Sequence, residues 1–180
     1  MTTKKLEQLT VGCGCFWCIE AVYDHVAGVE KIVSGYSGGT VPGTPTYREI
    51  CSGLTGHAEV VQVSYDPQII SFNELLLIFL TSHDPTTLNR QGADIGTQYR
   101  SVIFYHNQEQ KTIAESVIKE VSPYFENPIV TEISELGPFF EAEAEHQDFY
   151  NNNKRQPYCT YVIEPKLTRL RQMYASKLKK

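Results

Sequence analysis

Cys15 lies in the run Gly14-Cys15-Phe16-Trp17-Cys18, where a strand-like stretch gives way to a helical one. A thiol at a helix N-terminus faces unpaired backbone N–H groups and the positive end of the helix dipole, so its thiolate is expected to be favoured and its nucleophilicity raised. Phe16 and Trp17, the only Trp of the chain, then stand beside that sulfur as an apolar wall. Three more clusters carry polar groups: Tyr47 in Pro45-Thr46-Tyr47-Arg48, Glu59 in Gly56-His57-Ala58-Glu59, and Asp94 with Tyr99 in Asp94-Ile95-Gly96-Thr97-Gln98-Tyr99-Arg100. Each falls where a loop meets a regular element, which is where rigid scaffolds present functional groups. A carboxyl at position 59 buried near aromatics would have its pKa raised and would serve as a proton donor at neutral pH.

Each cluster also has a plain reading. A free cysteine is most often a small buried hydrophobe, a strand-end Glu is most often solvated, and Tyr47 and Tyr99 could pack their rings with hydroxyls at the surface. The Asp94 loop could be a run of Asx turns. For Cys15 the helix-start position and the preceding Gly14, which permits close approach, favour the reactive reading. His25, His83, His106 and His146 read as surface or core residues, since none has a partner at metal-ligand spacing.

The elements that must position these groups alternate. Leu9 to Gly12 is extended, and Cys15 to Val26 is helical, with Phe16, Ile19, Val22, Tyr23 and Val26 at helical spacing. Val29 to Gly38 is β-rich, Thr40 to Tyr47 is loop, and Thr46 caps a short helix through Cys51. Ala58 to Tyr65 is a strand, and Ser71 with Glu74 forms a capping box before the buried run Leu75 to Thr81. His83 to Arg100 is a long ordered loop of the kind that usually carries function. Ser101 to Tyr105 is a strand, Gln108 to Val121 a helix, Ile129 to Ile133 a strand, Glu141 to Tyr150 a helical turn or two, and Pro165 to Lys180 a basic closing helix. The order strand, helix, strand, strand, helix, strand predicts an α+β fold of the ferredoxin-like, split βαβ kind, with long ordered loops and a C-terminal helix. No repeat or linker interrupts it, so residues 1–180 read as one catalytic domain.

With 41% hydrophobic and 21% charged residues over 180 positions, the chain can bury one core of ordinary size. A net charge of −5 argues against nucleic acid or an anionic membrane as partner. No apolar leader precedes Leu9, and the longest apolar run, Leu75 to Leu80, is too short to cross a bilayer. Five cysteines without an export signal point to reduced thiols and to the cytoplasm.

Taken in order, Gly14-Cys15-Phe16-Trp17, Pro45-Thr46-Tyr47, Thr55-Gly56-His57-Ala58-Glu59, Asp94-Ile95-Gly96-Thr97-Gln98-Tyr99-Arg100-Ser101 and Pro157-Tyr158-Cys159 closely resemble the type A peptide methionine sulfoxide reductases, from about Leu9 to Leu170. The resemblance implies thiol-dependent reduction of the S epimer of methionine sulfoxide, protein-bound and free, with no cofactor or metal. It implies Cys15 as nucleophile, Glu59 as proton donor, and Tyr47 and Tyr99 as phenols that hydrogen-bond the sulfoxide oxygen. Phe16 and Trp17 would hold the S-methyl, with Asp94 in a supporting role. Attack leaves a Cys15 sulfenic acid, which a second thiol condenses with to a disulfide that thioredoxin reduces.

The chain departs from the commoner family pattern in carrying Cys18 after Trp17, where many members have Gly, and in having no cysteine after Cys159. Residues three apart on a helix have Cα atoms roughly 5 to 5.5 Å apart, within disulfide range, which makes Cys18 the expected resolving thiol. Cys13 and Cys159 are its rivals, and Cys51 reads as packing. A further departure is Glu145 before His146-Gln147, where the family usually has an aromatic. Three other readings stay open: a zinc module built on Cys13, Cys15 and Cys18, a thioredoxin-like dithiol exchanger built on the C-x-x-C alone, and a module that binds oxidised peptides without turning them over.

Overall fold

The computed structural model describes residues 3–180. Its centre is strand β3 (Ala58–Tyr65), which pairs antiparallel with β1 (Glu7–Gly12) on one side and β2 (Val29–Ser37) on the other. β1 and β2 are therefore parallel to each other with β3 between them, joined by helix α1 (Phe16–Asp24), which is the split βαβ arrangement. Helix α2 (Tyr47–Cys51) lies between β2 and β3, and α3 (Phe72–Thr81) follows β3. A short hairpin, β4 (Arg90–Gln91) with β5 (Asp94–Ile95), interrupts the long loop. Strand β6 (Val102–Tyr105) then pairs antiparallel with β1, and helix α4 (Gln108–Val121) crosses to β7 (Glu132–Glu135), parallel to β6. β8 (Phe139–Glu141) returns to the far edge beside β2, giving the order β7-β6-β1-β3-β2-β8. Two short turns (Ala144–His146 and α5, Phe149–Asn152) and α6 (Glu164–Tyr174) complete the chain.

Strand alternation decides what faces the helices. Leu9 and Val11 of β1, Val61, Val63 and Tyr65 of β3, and Ile103 of β6 are buried together with residues of α1, α3, α4 and α6 in the main core. Ala58, Val60, Val102 and Phe104 form a smaller cluster on the opposite face, with Leu136 and Phe139 against it. Glu59 has the parity of Val61, Val63 and Tyr65, so its carboxyl enters the helix side of the sheet. Helix α3 starts at the expected capping box, with Ser71 Oγ accepting from the Glu74 N–H and Glu74 returning to the Ser71 N–H. Such a cap contributes about 1 kcal/mol. No helix among the described residues is long and apolar enough to cross a membrane.

The α+β class stands, and three local expectations shift. The strand expected at Ile129 to Ile133 lies at Glu132–Glu135, because parallel pairing with β6 sets its register. The stretch expected as helical turns from Glu141 begins as β8, which satisfies the open edge of β2. The closing helix ends at Tyr174 and is preceded by a wide i→i+5 turn over Cys159–Ile163.

Candidate active site

β1 ends at Gly12, and the chain turns through Gly14 at φ +71°, a left-handed value that glycine adopts without strain. The Gly14 N–H is held by the Tyr99 carbonyl at 3.0 Å. Cys15 follows as the extended residue capping α1, with φ −67° and ψ 130°. It keeps 8% of its surface exposed, while Phe16 is fully buried behind it. The free N–H of Phe16, at the start of α1, donates to Glu59 Oε1 at 3.2 Å. Cys15 and Glu59 are thus brought together by the helix start and by the register of β3.

Burial pushes the Glu59 carboxyl up to about 8; Asp94 adds to the shift, and the Phe16 N–H and Cys15 thiol oppose it. Its second oxygen, Oε2, is buried without a hydrogen-bond partner. The expectation that the helix N-terminus leaves Cys15 ionised is corrected. Burial, the Glu59 charge and Cys18 raise its thiol pKa well above the usual range, against which the Trp17 N–H and the Tyr158 hydroxyl work in the opposite sense. Desolvation of a thiolate outweighs a dipole that acts only over the first turn.

Tyr47 opens α2 and Tyr99 closes the turn after β5; both are half-buried. Burial raises both phenol pKa values, and the charges of Glu59 and Cys15 add to that, so each hydroxyl stays protonated as a donor. Trp17 lies flat on Phe149, with ring centroids 3.7 Å apart and planes 6° from parallel. Its indole Nε1–H donates to His146 Nδ1 at 3.2 Å, and Tyr158 meets its ring edge-on at 5.6 Å. Asp94 is half-buried and accepts from the Tyr158 hydroxyl at 3.4 Å. Burial raises its carboxyl too, with Tyr158 and Lys166 acting against the shift.

The segment around Tyr158 folds back over α1. Cys18 Sγ lies 3.2 Å from the Tyr158 hydroxyl, and burial raises its pKa while Tyr158 and Lys166 hold it down. Cys13 is pushed up to about 12 by burial. Cys159 is fully enclosed. Cys51, expected as a packing residue, is exposed instead. All five thiols are free.

Three residues were not singled out by sequence. His146, expected as a surface or core residue, is buried with its ring 4.3 Å from Tyr47, 5.5 Å from Phe16 and 5.7 Å from Trp17. Glu143 accepts from Tyr36 and from the Tyr47 N–H, and Tyr36 is the cross-strand partner of Glu59. The signal that existed was local: Glu143, Glu145 and His146 cluster polar residues in a stretch otherwise carrying aromatics.

A cysteine at a helix start, paired with a buried carboxyl and walled by aromatic rings, is an arrangement suited to thiol chemistry. The peptide methionine sulfoxide reductase family model matches residues 7–178, and the chain belongs to that family. It is 53% identical to the peptide methionine sulfoxide reductase MsrA of Saccharolobus solfataricus over 174 residues, covering 97% of this chain and 98% of that one. It is 55% identical to the MsrA of Nitratiruptor over 168 residues, covering 93% and 96%. Among solved structures, Mxr1 from Saccharomyces cerevisiae in reduced form superposes with a TM-score of 0.79 at 36% identity, covering 86% of this chain and 90% of that one. Mxr1 in complex with Trx2 gives a TM-score of 0.56 at 28% identity, covering 81% and 85%.

Proposed function

We propose that this protein reduces the S epimer of methionine sulfoxide in peptides and proteins, and in the free amino acid, with Cys15 as nucleophile and Glu59 as proton donor. The observation that carries this reading is the buried Glu59 carboxyl, held by the first N–H of the helix that Cys15 caps. The reactive state holds one proton between the pair: a Cys15 thiolate and a neutral Glu59. The thiolate attacks the sulfoxide sulfur and forms an S–S bond while Glu59 gives its proton to the oxygen; the resulting hydroxyl then passes to the Cys15 sulfur as the S–O and S–S bonds to the methionine sulfur break. Methionine leaves, Cys15 becomes a sulfenic acid and Glu59 a carboxylate, so atoms and charge balance. Tyr47 and Tyr99 donate to the oxygen as its charge grows. Phe16 and Trp17 receive the S-methyl, and Asp94 supports the pocket through Tyr158. Setting the polar S–O against those rings would cost several kcal/mol, which selects the epimer.

Cys18 then displaces water from the sulfenic acid to form a Cys15–Cys18 disulfide. Thioredoxin reduces that disulfide, a role supported by the relative Mxr1, solved with Trx2. We assign the whole chain to one catalytic domain, working in the cytoplasm to repair oxidised methionine. The test is methionine release from an S-epimer peptide by wild type and by Cys15→Ser. Wild type should turn over with thioredoxin and the variant should release nothing; release by Cys15→Ser removes the nucleophile from position 15.

A further inference from the structure

Helix α2 carries Tyr47, yet it is five residues long and buries only Ile50. A helix of that length does not hold its own shape, because nucleation costs more than its few hydrogen bonds return. The approach to it contains Pro42, Gly43 and Pro45, and the exit contains Gly53 and Gly56 at positive φ, so neither flank anchors it by regular structure. The Thr46 hydroxyl caps it locally by accepting from the Glu49 N–H at 3.3 Å. The Tyr47 ring rests 4.3 Å from His146, the Thr97 hydroxyl donates to the Gly53 carbonyl at 3.3 Å, and a tie to the helix start itself comes from 96 residues away: Glu143 Oε2 accepts from the Tyr47 N–H at 3.1 Å.

The other oxygen of that carboxylate reaches the wall of the site. Glu143 Oε1 accepts from the Tyr36 hydroxyl at 3.2 Å. Tyr36 is fully buried, stands opposite Glu59 in the β2–β3 register and has its ring 5.7 Å from Phe16. One side chain therefore joins the start of α2 to the strand beside the proton donor. His146 closes the arrangement, with Nε2 at 3.9 Å from Glu143 Oε2. Because the Trp17 indole nitrogen can only donate, His146 Nδ1 must accept and Nε2 carries the proton. That Nε2–H is buried without a hydrogen-bond partner, and with its proton in place it is not a ligand for a metal ion beside Glu143 and Glu145.

We propose that Glu143 is a positioning residue for the sulfoxide step: it acts through Tyr47, setting that phenol against the reacting oxygen. This rests on the function proposed above. The test is a double-mutant cycle on the rate constant for the first methionine released from an S-epimer peptide, with KM determined in parallel. Glu143→Ala should slow that step roughly ten- to a hundredfold with a smaller change in KM, as expected for a misplaced donor. In a Tyr47→Phe background, where no hydroxyl remains to misplace, the same substitution should cost under about threefold. Glu143→Gln keeps a carbonyl oxygen for the Tyr47 N–H and should recover most of the rate. Tyr36→Phe, which removes one contact to the same carboxylate, supplies a milder second cycle should alanine impair folding, and its loss should likewise shrink without the Tyr47 hydroxyl. Equal fold-losses in both backgrounds, or a wild-type rate in Glu143→Ala, overturn the proposal. A wild-type protein that releases no methionine overturns the function itself, and so is told apart from either outcome.

Discussion

The backbone N–H of Phe16 and the Oε1 of Glu59 meet at 3.2 Å across 43 residues of sequence. The contact ties the Glu59 carboxyl, the proposed acid, to the helix that Cys15 caps, so the two cannot drift apart without breaking a buried bond. Removing the acid while keeping the acceptor isolates its chemistry: in Glu59→Gln the amide oxygen still receives the Phe16 N–H. Methionine release should fall roughly a hundred- to ten-thousandfold, the usual contribution of a positioned proton donor. Stopped single turnovers measure it, and a loss under threefold would assign the proton to another group.

The same carboxyl makes stability depend on pH. Its folded pKa of about 8 lies above the ordinary value of 4.5, so between those two the native state keeps a proton that the unfolded state has released. Stability therefore falls as pH rises from about 4.5 to 8, by roughly 5 kcal/mol from this group. Glu59→Gln should match the wild type near pH 4.5 and exceed it increasingly up to pH 8 in urea unfolding. A parallel pair of stability curves would show that the carboxyl is solvated.

Proton counting also sets a rate profile. The proposed reactive state lacks one of the two protons that the Cys15 and Glu59 pair holds at low pH, and the Glu59 proton leaves near 8. The kcat/KM for the sulfoxide step should climb about tenfold from pH 6 to pH 7 and level off above 8. A flat profile over that range would contradict a one-proton reactive state.

Trp17 is held by its stack on Phe149 and its bond to His146, which fixes the wall proposed to receive the methyl group. Trp17→Ala should raise KM for the S epimer and narrow the preference over the R epimer by at least tenfold, measured as kcat/KM on separated epimers. Undiminished selectivity would place the methyl pocket elsewhere.

What the sequence made legible was local. Cys15 at a helix start and Glu59 at strand parity with Val61 and Val63 follow from short-range pattern, and so does the α+β order. Glu143, Tyr36 and His146 were not legible, because they converge only when β8 pairs with the open edge of β2, which delivers positions 143 to 146 beside Tyr47. Reading Glu141 onward as helical turns hid that pairing. The protonation of Cys15 is hidden for a different reason: a helix start is visible in sequence, whereas the degree of enclosure that opposes it is a property of the packed molecule.

Cys18 lies one turn along α1 from Cys15, with the Tyr158 hydroxyl on its sulfur. Cys18→Ser should release one methionine per enzyme at the wild-type rate and then stall with thioredoxin as reductant. Continued turnover in Cys18→Ser, lost instead in Cys13→Ser or Cys159→Ser, would transfer the resolving role.

The most direct measurement is peptide mapping by mass spectrometry after a single turnover of the wild-type enzyme without reductant. For each methionine formed, one Cys15 should be oxidised and recovered in a disulfide with Cys18. Methionine formed while the Cys15 thiol remains free and alkylatable would contradict Cys15 as the nucleophile.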